Sequence, residues 1–97
     1  MIYTAEEKVG KVRRFFPRIS VAVVAVEPLF TATLKIGETI RITGEGSRSF
    51  KKTRINFVQK VESMEINHAK IEEAKPGDVI GLKVIEEALE GCCVFKI

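Results

Sequence analysis

Apolar residues recur at every second position along most of this chain, and no stretch shows a helical period. Lys8-Val9-Gly10-Lys11-Val12-Arg13-Arg14-Phe15-Phe16 mixes β-branched and aromatic residues with basic ones and reads as a first strand. Pro17-Arg18 closes it, because proline lacks the amide donor that a central strand needs. Ile19-Ser20-Val21-Ala22-Val23-Val24-Ala25-Val26 is the strongest strand, since valine and isoleucine are stiff at χ1 and disfavour helix. Ile19, Val21, Val23 and Ala25 share one face, and Ala22, Val24 and Val26 share the other. Further strands are expected over Glu38–Thr43, Val58–Asn67, Val79–Val84 and Cys92–Ile97. A bulge is expected near Lys60, where the parity of Val58, Met64 and Ile66 departs from that of Val61.

Two turns punctuate this pattern in the same way. In Lys75-Pro76-Gly77-Asp78 the proline presets φ at the first central position and the glycine supplies the positive φ of a type II turn. Asp78 can accept hydrogen bonds from the turn backbone. Lys35-Ile36-Gly37-Glu38 repeats the device before Thr39-Ile40-Arg41-Ile42. Gly44-Glu45-Gly46-Ser47 reads as a flexible hairpin tip, and Glu86–Gly91 as a loop with room for one helical turn.

Taken together, Leu34-Lys35-Ile36-Gly37-Glu38-Thr39-Ile40-Arg41-Ile42, then Val61-Glu62-Ser63-Met64, then Glu73-Ala74-Lys75-Pro76-Gly77-Asp78-Val79-Ile80-Gly81-Leu82 resemble a known pattern. It is that of the second domain of translation elongation factors such as elongation factor Tu. The chain also looks like the short translation elongation factor-like proteins and the matching tail domain of collagenase-like peptidases. The resemblance covers residues 9–97 and implies a small barrel reused in many proteins. Where relatives carry Pro-Gly-Asp before the final strand, this chain has Glu90-Gly91-Cys92.

Pattern and resemblance agree on an all-β fold: a small closed antiparallel β-barrel of six or seven strands, of the translation-protein type. Closing the sheet removes edges that would otherwise aggregate. The expected inward residues are Val12, Val21, Val23, Ile40, Ile42, Val61, Val79, Leu82 and Val94. One domain spans 1–97, with 1–7 an N-terminal extension and 44–57 an extended basic hairpin loop. The second face of the Ile19–Val26 strand is apolar too. A lone barrel should be polar outside, so this face calls for cover by the chain itself, a second subunit or a protein partner.

The net charge of +3 conceals an asymmetry. Residues 1–60 hold 12 basic against 5 acidic side chains, whereas residues 61–97 hold 4 against 8. Such a distribution points to a basic face that meets an anionic partner, set against the plainer alternative of a solvated exterior carrying both signs. Arg13, Arg14, Arg18, Arg48, Lys51, Lys52 and Arg54 are the candidate phosphate contacts, and Phe50 a candidate platform for stacking a base.

No catalytic constellation emerges. There is no G-x-x-x-x-G-K-[ST], so no nucleotide is expected. A single histidine, His68, and the vicinal pair Cys92-Cys93 do not supply a zinc spacing, and no cofactor is expected. Adjacent strand residues face opposite ways, which argues against a Cys92–Cys93 disulfide and for plain strand residues. No run of about 18 apolar residues spans a membrane, and residues 1–7 lack a basic start and an apolar core, so the expected location is cytoplasmic. The expected function is therefore non-catalytic binding. One reading is contact with RNA, tRNA or rRNA, or with a ribonucleoprotein, as the resemblance implies. The alternative is an accessory domain that packs on a peptidase-like or RNA-modifying enzyme, or forms a homodimer, through Ile19–Val26.

Overall fold

The computed structural model describes residues 6–27, 32–48 and 51–97, with backbone alone at 47, 48 and 51. These residues form ten strands and no helix: β1 (Glu7–Phe16), β2 (Val21–Val26), β3 (Leu34–Lys35), β4 (Thr39–Arg48), β5 (Lys51–Lys60), β6 (Met64–Ile66), β7 (Ala69–Ile71), β8 (Glu73–Ala74), β9 (Val79–Lys83) and β10 (Cys93–Lys96). Eight of them make one sheet in the order β5-β4-β10-β1-β2-β9-β6-β7, and β3 pairs with β8 in a short ribbon. Every pairing is antiparallel. The expected six or seven strands become ten because three pieces of two or three residues carry their own pairing, and because the expected strand 58–67 breaks at residues 61–63 into β5 and β6.

The two glycine turns are corners of one design. Gly37 and Gly77 have φ of 91° and 92°. Glu38 N donates to Lys35 O at 3.2 Å and Asp78 N to Lys75 O at 3.0 Å, which closes each turn. The acid then caps its own turn: Lys35 N donates to Glu38 Oε1 at 2.6 Å and Lys75 N to Asp78 Oδ2 at 2.8 Å. Each corner also docks on a buried valine by the same reciprocal bonds. Gly37 N donates to Val61 O and Val61 N to Glu38 O, at 2.8 and 2.9 Å. Gly77 N donates to Val26 O and Val26 N to Asp78 O, at 3.0 and 2.8 Å. The ribbon β3–β8 joins the two corners through Leu34↔Ala74 and Lys35↔Glu73.

Two register shifts in β1 explain why its alternation is imperfect. The shift between Lys8 and Gly10 lets Val9 and Gly10 both lie buried. A side chain at Gly10 would overlap Ala25 O, so only glycine permits that approach. The shift between Val12 and Arg14 puts Arg13 and Arg14 both outside.

The core is apolar apart from Gln59, with Leu34, Ile40, Ile42, Met64, Ile80 and Leu82 almost fully buried. Val12, Val61 and Val94 are inside, as the alternation requires. Val21, Val23 and Val79 are not. On β2 the buried set is Ala22, Val24 and Val26, and Val79 is 57% exposed while Ile80 is buried. Because both faces of β2 are apolar, its own sequence offers no polarity contrast from which to choose the inner one.

A second correction concerns 44–47. These residues belong to β4, and the hairpin β4–β5 runs in continuous register from Thr39↔Lys60 to Arg48↔Lys51. Gly46 is there for packing: any side chain would overlap Leu89, which seats on the strand at this point and belongs to the same buried cluster as Ile55. At the other end Gln59 is the one buried polar side chain among the described residues. Its Nε2 donates to Lys83 O and its Oε1 accepts from Ile85 N, both at 2.9 Å, tying β5 to the segment that follows β9.

Candidate interaction surfaces

Among the described residues, the proposed phosphate contacts fall on separate parts of the sheet. Arg13 and Arg14 are exposed on β1, and Arg18 is exposed in the turn between β1 and β2. Lys52 and Arg54 are exposed on β5, three strands away in the sheet, or roughly 14 Å at ordinary strand spacing. Arg48 and Lys51 pair by backbone at the hairpin's far end, their side chains outside the described set, and Phe50 lies outside the described residues altogether. Phe57 is core, 6% exposed, so it offers no stacking face.

Several cations are already engaged. Arg54 Nη2 lies 3.5 Å from Glu45 Oε1. Arg41 donates from Nε to Glu6 Oε1 at 2.6 Å and from Nη1 to Asn56 Oδ1 at 3.0 Å. Arg14 stands over the Phe16 ring, 5.8 Å from its centroid. Arg13, Arg18 and Lys52 have no carboxylate partner among the described residues.

A continuous apolar surface lies elsewhere. The outward positions of β1, β2 and β9 fall in register: Phe16 faces Val21, which faces Lys83; Val23 faces Gly81; Ala25 faces Val79. Phe16, Ile19 and Val79 are 40, 57 and 57% exposed. Gly81 contributes no side chain, which leaves a shallow groove of about 350 Å³ walled by Val21, Val23, Val79, Phe16, Glu65 and His68. His68 reaches its rim because Asn67 and His68, with φ of 51° and 66°, make the two-residue left-handed turn that joins β6 to β7. The face of Ile19, Val21, Val23 and Ala25 is thus the outer one. Sequence reading placed it inside and missed Phe16, Val79 and Gly81, although a glycine within a strand was a signal of close approach.

Chemistry is sparse. Among the described residues no three His, Cys, Asp or Glu side chains gather in a way that could hold a metal ion. Cys92 is buried and Cys93 half-buried, both as free thiols. Burial first, and the neighbouring Cys93 second, push the Cys92 thiol up from its ordinary value, so it is a packing group and a poor nucleophile. No helix among the described residues is long and apolar enough to cross a membrane.

Comparison with known proteins places the fold. No family model matches the chain. It is 35% identical over 90 residues to an uncharacterized protease of Methanocaldococcus jannaschii. That match covers 93% of this chain and 19% of the protease, so the chain spans a small part of the relative's length. Two crystal structures of the C-terminal domain of a Geobacillus thermoleovorans protein assigned as a U32 peptidase share the fold. The selenomethionine variant gives a TM-score of 0.74 at 18% identity, covering 93% of this chain and 99% of that one. The other gives 0.73 at 18% identity, covering 100% and 98%. These findings fit the expected likeness to a peptidase tail domain. The likeness to elongation factor Tu rests on sequence motifs alone.

Proposed function

We propose that this chain is a non-catalytic accessory domain that docks on a peptidase-like protein through the outer face of β1, β2 and β9. The exposed apolar surface of Phe16, Ile19, Val21, Val23 and Val79 carries this reading, because a soluble sheet face in water is ordinarily polar. The relatives support it, since similar segments occur as one part of larger peptidase-like chains. In the finer picture the sheet curls into a small barrel of the translation-protein type. The bonds from Gln59 to residues 83 and 85, and the β3–β8 ribbon between the two corners, support that closure. A reducing, cytoplasmic setting suits its two free thiols.

Contact with RNA is the second reading. It is supported by the exposed cations Arg13, Arg18 and Lys52, which have no carboxylate partner among the described residues. Salt separates the two, since phosphate contacts weaken steeply with ionic strength and an apolar interface does not. The deciding experiment captures partners on the immobilised chain, with and without ribonuclease, in low and high salt, and identifies them by mass spectrometry. Docking predicts a peptidase-like polypeptide that survives ribonuclease and high salt and is lost with Val23→Asp. A catch consisting of RNA, or one indifferent to Val23→Asp, refutes it.

A further inference from the structure

The apolar groove is bordered by positive charge, and that border identifies what it takes. Lys11 pairs with Ala25, Arg14 with Val23 and Lys83 with Val21, so all three cations stand on the same outer face as the groove. Lys83 Nζ is held there by a 2.9 Å hydrogen bond to Ile19 O, and Arg14 by the Phe16 ring. Arg18 is exposed in the turn that leads into β2. These cations stand on positions next to the groove's lining, in which Glu65 is the one acid; Lys11 also borders a separate hollow that Glu90 lines.

Two of the possible occupants fit this border badly. A second copy seated face to face would set a rim of four cations and one acid against an identical rim, and an excess of like charge across an interface is costly. Nucleic acid would satisfy the cations but leave the apolar floor of Val21, Val23 and Val79 facing phosphates. A protein surface with an apolar centre and carboxylates around it satisfies both floor and rim.

We infer that the groove over Gly81 receives a bulky apolar side chain from an acidic segment of the partner, whose carboxylates meet Arg14, Lys83, Lys11 and Arg18. This deepens the docking reading above and rests on it for the kind of partner, while the groove's chemistry can be measured independently. Gly81 is the specificity-determining position. Its φ is not in the left-handed region, and a Cβ there would make only an ordinary 3.4 Å contact with Val21 Cγ1. The backbone there therefore accepts a Cβ, and a longer side chain on it would project toward the groove's floor.

The test uses two labelled synthetic peptides that share a Leu-Phe-Val centre and differ only in flanks of Glu or of Lys. Fluorescence anisotropy is read at low and at high salt. The Glu-flanked peptide binds the chain about tenfold or more tightly than the Lys-flanked one at low salt, the sum of several exposed ion pairs, and salt narrows the gap. Gly81→Leu abolishes binding of both with the unfolding midpoint unchanged. Lys11→Glu with Arg14→Glu reverses the preference. Equal binding of the two peptides, binding by neither, or binding that survives Gly81→Leu overturns the inference. If capture yields a peptidase-like protein but the peptides are not distinguished, only this inference fails. If the acidic peptide binds through Gly81 while capture yields none, only the peptidase reading fails.

Discussion

The hairpin β4–β5 and the strand pair β2–β9 use the same pleat and opposite chemistry. On the hairpin, Ile40, Ile42, Ile55 and Phe57 point inward while Arg41, Lys52, Arg54 and Asn56 point out. On β2 and β9 the inward set is Ala22, Val24, Ile80 and Leu82, and the outward set is apolar again, with Val21, Val23 and Val79. On the hairpin's described outward positions the charges are exposed or paired, as Arg54 is with Glu45. The β2–β9 face keeps an apolar outer surface, which the docking reading proposed above assigns to a partner. Where alternation holds, a surface is polar outside and needs no cover in water; where it fails on a strand already packed on one side, the second face is the place to look for an interaction.

The sharpest way to break this contrast is to exchange faces within β2. Val24→Asp buries a carboxylate in a site with no partner, and the expected loss is about 3 kcal/mol or more in urea unfolding. Val23→Asp, the adjacent position, should cost less than about 1 kcal/mol while abolishing partner capture. Equal stability losses would show that β2 has no outer face. A smaller effect is expected at the corner that feeds β9. Gly77→Val adds a Cβ that meets nothing within 4 Å, so its cost is purely that of a β-branched residue at φ of 92°. Thermal or urea unfolding should show a loss of more than about 1 kcal/mol. An unchanged curve would refute the turn assignment. The smallest effect belongs to the hairpin. Replacing Arg48, Lys51, Lys52 and Arg54 together by alanine should leave stability within about 0.5 kcal/mol and partner capture intact. If RNA affinity in a filter-binding assay is also unchanged, the hairpin is no part of the RNA reading.

Much of the fold was legible because its signals are local. A glycine next to an acid before an alternating run specifies a corner by itself: the glycine takes the positive φ, and Glu38 or Asp78 bonds back three residues to Lys35 or Lys75. What failed depended on distant neighbours. Gly44-Glu45-Gly46-Ser47 has turn composition, yet Gly46 makes room for Leu89, more than forty residues later in the sequence. Arg13 and Arg54 look like members of one basic run in composition, but the sheet order β1-β10-β4-β5 separates them. The face of β2 could not be chosen from β2 alone, and so the groove over Gly81, which needs β1, β2, β9 and the β6–β7 turn together, was out of reach.

The position of β10 bears on how the molecule assembles. It is the last strand in chain order, yet it lies between β4 and β1, pairing Val94 with both Ile42 and Gly10. The hairpin can zip early on local contacts, but it has no neighbour in the main sheet until Cys93–Lys96 slots in beside it. Such closure joins segments far apart in sequence and is intrinsically slow. The single eight-stranded sheet therefore depends on β10 as its keystone: without Cys93–Lys96 the edges of β4 and β1 would have no partner and the hairpin no link to the other strands of that sheet.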